Sequence, residues 1–343
     1  MIYMKAWRIK AKGELVLEKL EPTAPKENFV KVKIIYSALS DMDELLYSGE
    51  VLPPQYPVTI GRQAVGMVVE VGESVTNVTR GDRVVIDPYV FCDSCIMCSE
   101  EGKYTDCLNL KEYGTDEDGF LSDFVIVRCE DLFKLPDRVS DEDAMFASHI
   151  ATAMNIASKL SLEKGKHIAI MGGTIIGLVL AQIVLYYQAV PILVDARADR
   201  LERAESLGIY YCINSTVQDV QKKIFSLTGG SLADSAVHLV ASQLPLEQTL
   251  ASVSFGSKII LAGWSGAQTA LPANIRSIVT KQIKVEGLTN GAKLIPSAIN
   301  MIINKSVNVS SFVTKTVPFN DVETAIKEQI EFPQKELKVF VKM

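Results

Sequence analysis

Apolar positions follow two different rhythms along this chain. Over about the first 90 residues, short segments alternate apolar and polar positions or are rich in β-branched side chains. Such segments lie at 1–10, 31–35, 65–71 (VGMVVEV) and 84–87, the last after a Gly81-Asp82 turn. Side chains alternate faces along a strand, so this rhythm predicts a small β-rich domain. A further strand is predicted at 123–127, after Asp118-Gly119.

Near residue 140 the rhythm changes. Ser140 followed by Asp141, Glu142 and Asp143 predicts a helix start. A hydroxyl caps the first free N–H groups, and acids favour the positive end of the helix dipole. Continuous apolar runs then alternate with helical lengths: a strand at 167–171, a Gly-rich turn, a helix at 176–187, a strand at 191–194 and a helix at 198–207 ending at Gly208. Strands at 236–240 and 258–262 continue the series. Strands separated by helices imply βαβ units and a parallel sheet, so the fold class is α/β. At roughly 150 residues per domain, 343 residues make about two. The expected division is 1–150 for the β-rich domain and 151–290 for the α/β domain, with 291–343 returning to the first.

Composition narrows the classes. Apolar residues at 48% and charged residues at 22% suit a globular protein. A net charge of −6 disfavours nucleic acid or an anionic membrane as partner, because both call for basic patches. The N-terminus lacks the continuous apolar core of a signal peptide. The apolar stretch near 175–190 is interrupted by Gly177, Gln182 and Gln188 and is too short to span a bilayer. A cytoplasmic protein with a small-molecule substrate is expected.

Six cysteines change the picture. Cys92, Cys95, Cys98 and Cys107 follow the spacing C-x2-C-x2-C-x8-C, while Cys129 and Cys212 stand alone. Two-residue gaps let a tight turn aim successive thiolates at one point, which suits tetrahedral zinc. Four protein ligands leave no open position, so such a zinc is structural. An iron–sulfur cluster also takes four cysteines, and a set of buried or redox thiols is the plainer reading.

The Gly-rich turn carries the other chemistry. Gly172-Gly173-Thr174-Ile175-Ile176-Gly177 lies between strand and helix, and Asp195 ends the next strand, 23 residues after Gly172. In a dinucleotide site the glycines form the turn, admit the pyrophosphate and let helix pack on strand, while the acid accepts the ribose hydroxyls. Thr174 replaces the middle glycine of G-x-G-x-x-G, and its Cβ crowds the phosphate approach. Asp195 favours NAD over NADP by repelling a 2′-phosphate, while Arg197 and Arg200 nearby pull the other way. The plainer reading is an ordinary βα turn with a turn acid.

The whole chain resembles the zinc-type medium-chain dehydrogenase family of alcohol and polyol dehydrogenases. The resemblance rests on GRQAVGMVVEVGESVTNVTRGDRVVIDPYVFCDSCIMCSEEGKYTDCL at 61–108, on DGFLSDFV at 118–125 and on the Gly-rich segment through Gly208. It implies a GroES-like catalytic domain carrying the zinc lobe at 91–108, a Rossmann coenzyme domain and a homo-oligomer, dimer or tetramer. It also implies one structural zinc on Cys92, Cys95, Cys98 and Cys107. An NAD(H) site is implied around Thr152, Gly172, Thr174, Ile175, Ile176, Gly177, Asp195 and Arg200; Thr152 matches a residue near the nicotinamide in relatives.

The departures are concentrated at the catalytic zinc. The positions that match its three protein ligands hold Ser40, Arg62 and Ser148, and Gln63 stands for the Glu of the family's Gly-His-Glu. Two proton-relay positions hold Met42 and Leu45. Zinc needs anionic or imidazole ligands, and a permanently charged guanidinium repels it. Of the three histidines, His167 and His238 fall on strands and are expected to be structural. Three roles are open to Arg62: it takes over the electrostatic task of the metal, with His149 or Ser40 passing the proton; it binds a substrate carboxylate or phosphate; or it pairs with Asp41, Asp43 or Glu44 and fills the old metal site. Two functions follow. One is hydride transfer between NAD(H) and a small alcohol or carbonyl without catalytic zinc. The other is a catalytically inactive nucleotide-binding member, a sensor or a subunit.

Overall fold

A computed structural model describes residues 3–100, 103–240, 246–263, 275–333 and 335–343. The chain divides into two compact units. One comprises residues 1–148, 295–303 and 309–343; the other comprises 149–294 and 304–308. The first boundary falls inside the helix Ala147–Lys159, between Ser148 and His149.

The first unit is built on strands β1 (Met4–Ala11), β2 (Glu14–Leu20), β3 (Phe29–Ala38), β4 (Val58–Thr59), β5 (Gln63–Val71), β6 (Arg83–Ile86), β7 (Tyr89–Val90), β8 (Lys111–Glu112), β9 (Phe124–Arg128) and β10 (Leu132–Lys134). The C-terminal β17 (Lys315–Pro318) and β18 (Val339–Lys342) complete it. Its main sheet runs β10-β6-β5-β3-β18-β17, with β9 also paired to β3, and a smaller sheet runs β2-β1-β4. β3 explains the arrangement. In FVKVKIIYSA, Val30, Val32 and Ile34 alternate onto one buried face, where Val68, Val84, Phe120 and Val127 meet them. A second core gathers Trp7, Ile9, Leu39, Leu46 and Ile60 with Phe319, Ile326 and Val341 from the chain's end. The tail is thus stitched into the first unit by burial and by the antiparallel pairing of Phe340 with Ala38.

The second unit is a parallel sheet of β11 (His167–Met171), β12 (Val190–Asp195), β13 (Tyr211–Asn214), β14 (Ala233–His238), β15 (Val253–Leu261) and β16 (Lys284–Gly287), in the order β13-β12-β11-β14-β15-β16. This is the doubly wound order of a Rossmann fold. Its strands read as unbroken apolar runs because both faces are covered. The helix Ile175–Tyr186 is buried along most of its length for the same reason.

Several elements depart from the sequence expectation, three of them near the candidate site or at its domain's edge. β2 and the helix Asp41–Ser48 had no predicted counterpart. The helix announced by Ser140 is only Asp141–Ala144, with Ser140 Oγ accepting from Asp143 N at 3.1 Å. No helix among the described residues is long and apolar enough to cross a membrane.

Candidate functional site

The four-cysteine cluster is local. Cys95 precedes the short helix Ile96–Ser99, which carries Cys98, and the turn after Tyr104–Asp106 delivers Cys107. All four thiols are free, and their sulfurs lie within 4.8 Å of one another. Cys92 Sγ is 3.8 Å from Cys98 Sγ and 3.6 Å from Cys107 Sγ. A tetrahedron of thiolates at ≈2.3 Å from zinc has edges of about 3.8 Å, so the set fits one zinc. Backbone N–H groups add to the fit: Cys95 N donates to Cys92 Sγ at 3.4 Å and Cys92 N to Cys107 Sγ at 3.5 Å. The N–H groups of Ser94 and Cys95 hold the Cys92 thiol well below its usual value, as a zinc ligand requires. Arg128 braces the lobe by donating to Phe91 O at 2.9 Å while both oxygens of buried Asp131 accept from it.

The matching positions for a catalytic zinc look different. Ser40 caps the helix Asp41–Ser48, and its N–H and Oγ both donate to Asp43 Oδ2, at 2.8 and 2.7 Å. Asp43 is fully buried, and Oδ1 accepts from Gly61 N at 2.9 Å. Gly61 has φ +95° and its ideal Cβ would lie 2.9 Å from Leu121 N, so glycine is required there. The carboxylate therefore ties the Ser40 turn to the Gly61 turn.

Arg62 follows, but its partner is none of the acids expected. It forms an ion pair with Glu112 and lies over the Tyr89 ring, 5.9 Å from the centroid. Glu112 is 50 residues away on β8, and its pairing could not be read from spacing. The next residue, Gln63, accepts from Lys338 Nζ at 2.6 Å. Lys338 Nζ also donates to Leu39 O at 2.8 Å. Lys338 is buried, and burial pushes its ammonium down to about 8, against the pull of the Asp41, Asp43 and Glu44 carboxylates; the Arg62 charge pushes the same way as burial. Zinc does not fit this set. A hydroxyl committed to Asp43 and two cations stand around the position, and among the described residues the four cysteines are the one group of three or more His, Cys, Asp or Glu able to hold a metal.

Ser148 is buried and ends the first unit's main segment, while half-buried His149 opens the second unit. Thr152 lies buried on the same helix as His149. His167 N donates to Asp234 Oδ2 at 2.8 Å, and fully buried His238 has Nδ1 2.9 Å from Thr249 Oγ1. Both therefore sit in structural surroundings.

The second unit holds the nucleotide turn. Gly172 takes φ +122°, and an ideal Cβ on Gly177 would lie 2.0 Å from Gly172 O. A side chain at 177 cannot be accommodated without moving the helix off the strand. Thr174 is the helix cap: its Oγ1 accepts from Gly177 N at 3.2 Å. The middle-glycine position thus carries a side chain turned into the helix start. Ile175, buried, and Ile176 open the helix. Asp195 is 1% exposed, with Oδ2 accepting from Gly173 N at 2.6 Å and Oδ1 from Arg197 N at 2.8 Å. Arg200 Nη1 lies 3.6 Å from Asp195 and is buried without a hydrogen-bond partner. Gly173 was not singled out in the sequence, yet its N–H fixes the acid, and a Cβ there would meet Arg200 at 3.1 Å. Residues 264–274 lie outside the described residues.

Comparisons with known proteins agree with this geometry. Residues 26–137 match the alcohol dehydrogenase GroES-like domain, and 176–327 match the zinc-binding dehydrogenase family. An uncharacterized zinc-type alcohol dehydrogenase-like protein of Haemophilus influenzae is 30% identical over 98% of both chains. A sorbitol dehydrogenase of Halalkalibacterium halodurans is 30% identical over 90% of both. A solved structure from Escherichia coli CFT073, described as a short chain alcohol dehydrogenase complexed with cofactor NADH, matches at a TM-score of 0.89 and 25% identity over 99% of both. Two domain matches in the expected order, together with a full-length relative at this identity, mean that the chain belongs to the zinc-type medium-chain dehydrogenase family.

Proposed function

We propose that the protein transfers hydride between NAD(H) and a small alcohol or carbonyl substrate without a catalytic zinc, and that it keeps one structural zinc on Cys92, Cys95, Cys98 and Cys107. The observation that carries this reading is the nucleotide turn. The 2.0 Å approach of an ideal Gly177 Cβ to Gly172 O and the buried Asp195 held by Gly173 N support a dinucleotide cradle at this turn. Bound NAD would supply a nicotinamide ring able to accept or give hydride. Asp195 would accept the ribose hydroxyls and repel a 2′-phosphate, which favours NAD over NADP. Gly172, Thr174, Ile175, Ile176 and Gly177 would face the pyrophosphate, Thr152 would lie near the nicotinamide, and Arg200 would flank the ribose acid. Ser40 or His149 would pass the substrate proton.

For Arg62, the Glu112 pair and the Tyr89 ring support the role of filling the old metal position. A guanidinium already neutralised by a carboxylate has little charge to offer a substrate. The relative named as a sorbitol dehydrogenase and the NADH complex support polyol- or alcohol-type chemistry. Assembly as a homo-dimer or tetramer is part of the proposal, read by light scattering. NADH titration by fluorescence, then turnover on a panel of polyols, aldehydes and ketones, tests the reading. Tight NADH binding with measurable turnover is expected; absence of NADH binding would sink it. NADH binding without turnover on any member would move the protein to the inactive, sensor-type reading.

A further inference from the structure

β9 stands at an open edge of the first unit. Among the described strands it pairs with β3 alone, with Phe124 opposite Lys33 and Arg128 opposite Phe29. Two bonds at the ends of that ladder fix its phase: Ile34 N donates to Asp123 O at 3.1 Å, and Cys129 N to Asn28 O at 3.0 Å. Antiparallel pairs alternate between bonded and non-bonded. Val125 and Val127 therefore turn their backbone groups to β3, while those of Phe124, Ile126 and Arg128 point away from it. Two of the outward groups are taken. Ser122 Oγ donates to Phe124 O at 2.8 Å, and Arg128 N faces the Tyr113 phenol oxygen. Among the described residues, Phe124 N and both backbone groups of Ile126 have no partner. An edge is ordinarily blunted by proline, lysine or a bulge, and β9, with the sequence FVIVR, has no proline or lysine.

A groove of about 480 Å³ follows this edge, lined wholly by residues of the first unit. Its lining comes from both faces of β9. Phe29, Lys31 and Ile126 share one face, while Val90, Tyr113 and Val125 belong to the core on the other. A cavity over one face of a sheet would draw on that face only. One that draws on both lies in the plane of the sheet, where a further strand would lie about 4.8 Å from β9. The rim is acidic. Glu21, Asp116, Glu117 and Asp118 stand in the lining with Arg8, Lys31 and Arg128. Two of those cations are also held by carboxylates outside the lining: Arg8 by Glu18 at 3.4 Å and Arg128 by Asp131 at 2.6 Å. Lys31 Nζ donates to Thr23 O at 3.1 Å. Glu117 is paired with Lys111 at 2.6 Å, whereas Glu21 makes no ion pair among the described residues.

We propose that this groove takes an extended peptide segment of a partner protein, roughly three to five residues of alternating apolar and basic side chains, added as a strand to the open edge of β9. Ile126 would exchange both backbone hydrogen bonds with one residue of the segment, and Phe124 N would add a third. The apolar side chains would enter between the two faces, against Phe29 and Ile126 on one side and Val90 and Tyr113 on the other. The basic side chains would meet the acidic rim, with Glu21 and Asp116 as their nearest carboxylates without a cation of their own.

The test uses the full chain and a capped pentapeptide of alternating lysine and valine, lysine first. Affinity is read by fluorescence anisotropy of a labelled copy, and the place of binding by backbone amide shifts and hydrogen exchange. Saturable binding that protects the Ile126 and Phe124 amides is expected. Glutamate in place of each lysine should weaken binding about tenfold or more. N-methylation of every residue keeps the side chains and charge but removes the strand donors, and should weaken it about fivefold or more. Ile126→Pro removes one edge N–H and leaves the β3 ladder whole, since that N–H points away from β3, and should cost about fivefold. If Ile126→Pro does not fold, the N-methylated peptide on the wild-type chain decides the matter. Absence of saturable binding by the lysine peptide overturns the proposal. So does equal affinity for its glutamate or N-methylated counterpart, equal affinity of folded Ile126→Pro, or protection confined to other amides. Self-association of the chain that protects the Ile126 amide without peptide also overturns it, and gives the edge to a second copy.

Discussion

Two metal positions of one family lie in the same unit of this chain and have gone opposite ways. At Cys92, Cys95, Cys98 and Cys107 the donors are complete, and their 3.6–3.8 Å spacings suit one ion. Around Ser40 and Arg62 the hydroxyl is committed to Asp43 and the guanidinium to Glu112, a set that zinc does not fit. The charge there is carried by an Arg62–Glu112 pair, an Asp43 that ties two turns, and a Lys338 that donates to Leu39 O and Gln63 Oε1 while the Asp41, Asp43 and Glu44 carboxylates act on it. A structural site works through folding energy, so losing it costs the fold. A catalytic site is held by a scaffold that stands without it. Its ligands can change as long as neighbours absorb the charge.

The sharpest way to break this contrast is to remove a thiolate. Cys98 is buried, with its Sγ 3.8 Å from Cys92 Sγ. Cys98→Ser should bring metal content from one zinc per chain to near zero and expose the 92–107 backbone to hydrogen exchange. Two zincs per wild-type chain, by mass spectrometry, would contradict the contrast outright. Next in size is Gly177→Ala. With its Cβ 2.0 Å from Gly172 O, it should cost roughly 1–3 kcal/mol by overpacking and weaken NADH about tenfold or more, as read by denaturation and fluorescence titration. Smaller again is Arg62→Met, which leaves the half-buried Glu112 without its cation. A loss of about 1–2 kcal/mol is expected, with most of it recovered when Glu112→Gln is added. If the double variant is no better than the single, the pair does not hold the site.

What could be read from the sequence follows from distance along the chain. The cysteine lobe is legible because its four ligands fall within 16 positions and a turn brings them together. The parallel sheet is legible because buried strands are written as apolar runs, as in 167–171. The helix Asp41–Ser48 is harder: its box of Ser40 and Asp43 is local, but Met42 and Leu46 bury against residues near 319–341. Glu112 and Lys338 are harder still. Lys338 lies 299 residues from Leu39, and only the β3–β18 register places it there. Thr174 was legible as a departure but not as a cap, because the side chain's direction depends on the turn made by Gly172.

The finest distinction between the two positions is electrostatic, and pH reaches it. Burial, helped by Asp41 and Asp43, pushes Glu44 from 4.5 up to about 8, although Lys338 opposes the shift. The carboxyl also accepts from Gln329 Nε2 at 3.0 Å. The folded chain therefore binds this proton more tightly than the unfolded chain does. Glu44's contribution is full below about pH 4.5 and is lost as pH rises towards 8. Lys338 runs the other way: its folded value near 8 lies below 10.5, so the unfolded chain holds the proton longer and stability rises between about 8 and 10.5. Together they place a shallow minimum near pH 8. Urea midpoints across pH 5–10 should reveal it. Glu44→Gln should flatten the falling limb and leave the rise, and Lys338→Met should flatten the rise. Thiolates bound to zinc are deprotonated in the fold and protonated in the unfolded chain below about pH 8.5, so Cys98→Ser should lower the curve and remove the thiols' own rising contribution while leaving the Glu44 and Lys338 limbs in place. A Glu44→Gln protein that keeps the wild-type slope between pH 5 and 8 would mean that Glu44 is ionised in the fold, and that the charges around Lys338 are balanced some other way.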